Sequence, residues 1–202
     1  MEITKISKVG KQDKFAIFID GVLKIFLTGQ SVLDNDLYVG MTIGEDQIKK
    51  LDNQSTYDVL FLKALNYISL RVRSEGEVKT YLKRKDASLD EQKEIINRLK
   101  KLDLVNDERF AEAFIHDKLL QAPASKRKIS YELKKKQIAE DIIERSISND
   151  QMSDEESLNK LIVMKRRQTK YQDDLKLMQY LVRNGFNYGD VKKALKNDTE
   201  EY

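Results

Sequence analysis

Three stretches decide the fold: Tyr81-Leu-Lys-Arg-Lys-Asp-Ala87, Glu132-Leu-Lys-Lys-Lys-Gln-Ile138 and Tyr180-Leu-Val-Arg-Asn-Gly-Phe186. Their leucines, Leu82, Leu133 and Leu181, stand 51 and 48 residues apart. Each stretch ends a helix and leads through an apolar residue into a short helix. Those short helices carry Ile95, Ile96 and Leu99, then Ile142, Ile143 and Ile147, then Val191, Ala194 and Leu195. A longer helical segment precedes each stretch, at about 57–72, 107–120 and 154–170. A period of about 50 residues is that of a helical array, whose units bury little alone and stack on their neighbours. The expected fold is mainly α: three tandem three-helix repeats, over 56–105, 106–150 and 151–202, forming a curved rod. A single nine-helix globule is the competing architecture, and helix-turn-helix DNA readers use similar helix lengths.

Working outward, the first 55 residues have another character and form a small β-hairpin-rich module. Phe15-Ala-Ile-Phe-Ile19 and Val22-Leu-Lys-Ile-Phe-Leu27 flank Asp20-Gly21, a strong signal for a tight hairpin turn. Strands are expected near 2–9, 14–19 and 22–28, then a short helix over Glu45 to Leu51 and a linker at Asp52-Asn-Gln-Ser55. Beyond residue 57, Ser74-x-x-Glu77, Ser88-x-x-Glu91 and Ser153-x-x-Glu156 have the spacing of capping boxes. Asn106 is placed to cap the helix that follows, with Val105 and Phe110 at staple positions. Pro123, the only proline, breaks two helical stretches.

Composition removes whole classes of chemistry. There is no Cys, hence no disulfide, thiol nucleophile or Cys-ligated zinc. The only histidine, His116, lies beside Phe114 and Ile115 and reads as a packed or solvent-facing helical residue. No GxxxxGK[ST] or GxGxxG loop is present. Glu77-Val78-Lys79 spells the end of a nuclease motif, but no Pro-Asp pair accompanies it. The residues therefore point to no enzyme, no metal and no cofactor. No apolar run reaches the ~18 residues of a membrane span, and no signal-peptide pattern opens the chain, so a cytoplasmic protein without membrane contact is expected.

The net charge of +3 conceals its distribution. Residues 31–60 hold six acidic and two basic side chains, whereas 126–136 hold six basic and one acidic. The last residues carry Asp198, Glu200 and Glu201. Lys83, Arg84 and Lys85 end a helix in the first repeat. Lys126, Arg127, Lys128, Lys134, Lys135 and Lys136 bracket Ile129 and Leu133 in the second. Lys165, Arg166 and Arg167 lie in the third. Cations at a helix end complement its dipole whatever their function. Their recurrence once per repeat points further, to a polyanion or an acidic protein surface. Aromatic interleaving is thin within these clusters, so stacking on single strands is not strongly indicated there.

The stretch Ala64-Leu-Asn-Tyr-Ile-Ser-Leu-Arg-Val-Arg-Ser-Glu-Gly-Glu-Val78 resembles the opening signature of the RecX family, regulators of the RecA recombinase. Ile96-Asn-Arg-Leu-Lys-Lys-Leu-Asp-Leu-Val-Asn-Asp-Glu-Arg-Phe-Ala111, Lys128 to Ile138 and Arg183-Asn-Gly-Phe186 are similar to later family elements. The likeness covers about 60–200. The N-terminal module looks like the extension of Gram-positive members. Gln137 departs from the family's usual glycine, and Ala122-Pro123-Ala124 stands where a glycine is frequent. The resemblance implies a non-enzymatic monomer that binds the RecA–DNA filament, limits its growth, ATPase and strand exchange, and so modulates recombination, repair and the SOS response. Arg71 and Arg73 join the cationic candidates through this signature. Single- and double-stranded DNA are further candidate partners, and the alternative is a helical module that binds DNA through its phosphate backbone.

Overall fold

The computed structural model describes residues 1–149 and 152–200. Glu201, Tyr202 and the expected repeat boundary at 150/151 lie outside the described residues. Packing divides the chain into two units, Met1–Arg73 with Glu77–Val105, and Ser74–Gly76 with Asn106–Tyr202. Four hydrophobic clusters fill them, over 3–51, 60–105, 110–143 and 158–195.

The first unit opens with an antiparallel sheet in the order β1 (Ile3–Lys8), β2 (Phe15–Ile19), β3 (Val22–Leu27). Asp20 and Gly21 take φ of 49° and 77°, the left-handed pair that a two-residue hairpin turn requires. Ile3, Ile17, Ile19, Ile25 and Leu27 form the inner face and pack with Leu37, Ile43 and Leu51. The sequence reading missed α1 (Gly29–Asp34), six residues capped by Thr28. It also placed a linker at 52–55 that does not exist, because α2 runs unbroken from Glu45 to Ser69. The polar run that resembled a linker is a docking face. Ser55 Oγ accepts the Phe26 N–H at 3.1 Å, and Gln54 Nε2 donates to Ser31 Oγ and Asp58 Oδ1 at 3.3 and 3.0 Å. With no Gly or Pro there, nothing stops the helix. The helices α3 (Glu75–Lys83) and α4 (Leu89–Lys101) follow.

The second unit holds α5 (Asp107–Gln121), α6 (Lys126–Lys135), α7 (Glu140–Asn149), α8 (Asp154–Arg166), α9 (Asp174–Arg183) and α10 (Tyr188–Glu200). The helix expected to reach residue 170 stops at Arg166 and yields to a 3-10 turn, Thr169–Tyr171. The staple spacing links Val105 to Phe110, yet the two are buried in different clusters. The boxes at Ser88/Glu91 and Ser153/Glu156 form in full, and Asn106 caps through both Glu108 and Arg109 N–H.

The repeated phrase is one backbone device made three times. Asp86, Gln137 and Gly185 occupy the left-handed region, with φ of 61°, 61° and 92°. Behind each, the next N–H returns to the repeat leucine: Ala87 to Leu82 O, Ile138 to Leu133 O, Phe186 to Leu181 O, at 3.2, 3.2 and 3.4 Å. Asp86, Gln137 and Gly185 N–H return to Lys83, Lys134 and Val182 O. This is the double-bonded helix stop, with its apolar residue just beyond. Leu82, Leu133 and Leu181 are fully buried, and Ala87, Ile138 and Phe186 are buried with them. The phrase therefore fixes where each helix ends and which side chains enter the core.

Within the second unit a joint also repeats. Ser74 Oγ donates to Lys136 O at 2.8 Å, and Ser125 Oγ to Asn184 O at 3.3 Å. The neighbouring N–H groups, of Glu75 and Lys126, donate to Asp107 and Asp154 Oδ1 at 2.7 and 2.8 Å. In both cases a helix start meets a helix stop.

Two third-repeat caps carry a pH signature. Backbone N–H bonds hold the carboxyls of Glu156 and Asp173 below the usual range, from Ser153 and Lys176 respectively. A depressed folded pKa gives stability that is present above the unfolded value and lost as pH falls through the folded one. Glu156→Gln should therefore be less stable than the parent near neutral pH. The difference should shrink as pH falls below the ordinary glutamate range and through the lowered folded value, followed by urea denaturation at each pH.

Candidate cationic surface of the helical repeats

The fourteen candidate cations divide by what they touch. Arg71 grips Glu77 with both terminal nitrogens, at 3.0 and 2.8 Å, and donates to Val72 O; the Glu77 hydrogen bond raises the guanidinium pKa above its ordinary value. Arg73 lies 4.0 Å from the centre of the Tyr67 ring. Arg166 donates to Asp174 Oδ1 at 2.6 Å and to the carbonyls of Tyr171 and Gln172, pinning the 3-10 turn to its helix. Lys165 sits 4.8 Å from the Tyr180 ring. Lys126 and Lys136 belong to the joint through their backbones. These groups hold the fold.

The others face solvent. Lys83, Arg84, Lys85, Lys134, Lys135 and Arg167 are exposed. Lys134 spans 2.8 Å to Glu140, with both side chains about half exposed, a pair worth little to stability. Lys135 lies 4.5 Å above the exposed Tyr131 ring, and Lys85 5.7 Å above Tyr81. Lys128 stands 3.9 Å from Glu132, whose carboxylate is held more closely, at 2.6 Å, by Lys118. Arg127 lines a cleft of about 720 Å³ with Asp154, Glu155, Leu158, Asp190 and Lys193.

The repeat offset reveals what residue type alone missed. Carrying Arg84 forward by 51 and then 48 residues gives Lys135 and Arg183. All three are exposed at the same helix stop, and Arg183 was overlooked because its stretch has only one cation. The same offsets explain the Tyr67–Tyr81 stack, with rings 4.2 Å apart and 3° from parallel. Its counterpart in the second repeat is the Lys118–Glu132 bridge; in the third the offsets give Arg166 and Tyr180, and Lys165, one residue earlier, lies over the Tyr180 ring instead. One inter-helix contact is thus made by two different chemistries, a stacked pair in the first repeat and an ion pair in the second.

No group of His, Asp and Glu among the described residues has the geometry to hold a metal. No described helix is long and apolar enough to cross a membrane. The fold and its surface define a helical-repeat protein in which charge, shape and hydrogen bonding carry the recognisable chemistry.

Comparison with known proteins agrees with that class. Residues 61–99 match the model of the first RecX three-helix domain, and residues 106–147 that of the second. A regulatory protein RecX of Finegoldia magna is 31% identical over 202 residues, covering 96% of this chain and 98% of its own. One from Streptococcus gordonii is 30% identical over 209 residues, covering 100% of this chain and 79% of its own. A crystal structure of regulatory protein RecX superposes with a TM-score of 0.73 at 20% identity, over 96% of this chain and 98% of that one, a likeness of fold. The structure of RecX from Lactobacillus salivarius gives 0.57 at 27% identity, over 70% of this chain and 95% of that one. The chain belongs to the RecX family, a family of regulatory proteins.

Proposed function

We propose that this protein is a non-enzymatic negative regulator of the RecA recombinase. It binds the RecA–DNA filament as a monomer in the cytoplasm and limits filament growth, ATP hydrolysis and strand exchange, so modulating recombination, repair and the SOS response. Family membership supports the choice of target. The observation that carries the mode of action is the recurrence of Arg84, Lys135 and Arg183 at one position of the three repeat-leucine helix stops, all exposed. A filament presents the same surface at regular intervals, and modest contacts repeated along one chain multiply in affinity.

Neutralising the solvent-facing set, Lys83, Arg84, Lys134, Lys135 and Arg183, should weaken inhibition of RecA ATP hydrolysis by about tenfold with helicity unchanged. Undiminished inhibition would place the contact elsewhere. Binding to naked DNA that falls steeply with salt, with no dependence on RecA, would favour a phosphate-backbone module.

A further inference from the structure

The outer face of the N-terminal sheet carries chemistry that the repeats do not use. Strand pairing sets Lys5, Phe18 and Leu23 in one row across the sheet, and Ser7, Ala16 and Phe26 in the next. The opposite face is the core. Phe18 and Phe26 are part-exposed and belong to none of the four hydrophobic clusters. A lysine lies over each ring: Lys5 Nζ is 5.4 Å from the centre of Phe18, and Lys14 Nζ 3.9 Å from that of Phe26. Lys8, Lys11 and Lys24 of the same module are exposed. The nearby acids are engaged locally, Asp13 accepting from Gly29 N–H and Asp20 from Glu2 N–H.

Phe18 and Phe26 stand on adjacent strands in neighbouring rows of this face, with a register shift between the rows. Two part-exposed aromatic rings on one face, each with a lysine over it, match the needs of single-strand binding: a stacking platform and cations for the backbone. We infer that this sheet face binds single-stranded nucleic acid, with successive bases stacking on Phe18 and Phe26. The ammonium groups of Lys5 and Lys14 leave the ring faces as the bases arrive and pair with the flanking phosphates. Such a platform is invisible in the linear chain, because the two phenylalanines lie on different strands and only the hairpin register brings them to one face. The inference shares no residue with the cationic surface of the repeats and does not require RecA.

The test uses the full chain and a fluorescein-labelled oligothymidylate, read by anisotropy at fixed salt. The double variant Phe18→Leu, Phe26→Leu keeps apolar bulk outside the cores. It should lose about tenfold or more in affinity for the single strand while binding to a duplex of equal length stays the same. Lys5→Gln with Lys14→Gln should lower the salt slope by one to about two. Unchanged single-strand affinity in the leucine variant, or equal loss on the duplex, would overturn the inference. A second readout does not depend on that variant's folding. The chain has no Trp, so Phe18→Trp places a lone reporter in the platform. Its emission should be quenched as oligothymidylate is added, and emission unchanged at saturating oligonucleotide contradicts the site.

Discussion

Gly185→Ala is expected to destabilise the protein by about 3 kcal/mol. Two costs combine. Gly185 has φ of 92°, a conformation that L side chains rarely adopt. A Cβ there would also overlap Ser125 Oγ and lie 2.9 Å from Lys128 Cβ. Ser125 cannot retreat freely, because it caps α6 through Lys128 N–H and donates to Asn184 O. The methyl group would thus strain a helix stop and break the joint it meets. Gln137 supplies the converse at the equivalent place. It holds φ of 61° with a full side chain, so Gln137→Gly should gain roughly 0.5–1 kcal/mol. Urea denaturation of the two variants checks both signs. Equal, small effects would show that the two stops are not the same device.

Asp58→Ala should cost about 3 kcal/mol and loosen the N-terminal module from α2. Asp58 is fully buried within α2. Its Oδ2 accepts from Thr28 N–H at 2.6 Å and Thr28 Oγ at 3.1 Å, and its Oδ1 accepts from Gln54 Nε2 at 3.0 Å. Removing the carboxylate strands the buried Thr28 N–H and leaves Thr28 Oγ and Gln54 Nε2 with only Ser31 Oγ between them. Asp58→Asn should cost less than half as much. Its carbonyl oxygen can still serve Thr28, and the Gln54 amide can rotate to present oxygen to the new NH2. Denaturation together with limited proteolysis of the module tests this. A loss as large for Asn as for Ala would mean that the negative charge itself, rather than the set of hydrogen bonds, holds the joint.

The repeat was legible because its signal is local: a leucine, three residues, a left-handed position and an apolar residue fall within one turn and its stop. The hairpin was legible for the same reason, through Asp20-Gly21. The continuity of α2 was not, since Asp52-Asn-Gln-Ser55 reads as a loop until Phe26 N–H and Ser31, far away in sequence, claim those side chains. Six residues at α1 are too few for a periodic signal. The cationic surface was legible in residue type but not in availability. Arg166 and Arg167 are neighbours in sequence, yet one clamps Asp174 and two carbonyls while the other is exposed. Local pattern fixes helix ends and cores, whereas the freedom of a side chain depends on partners contributed by other elements.

The most direct measurement is a titration of the intact protein into RecA assembled on single-stranded DNA, following ATP hydrolysis together with filament length by electron microscopy. The account predicts that both fall as the protein approaches stoichiometry with the filament's growing ends or grooves, well below one copy per nucleotide. Hydrolysis and filament length unchanged when the protein exceeds RecA itself would contradict it.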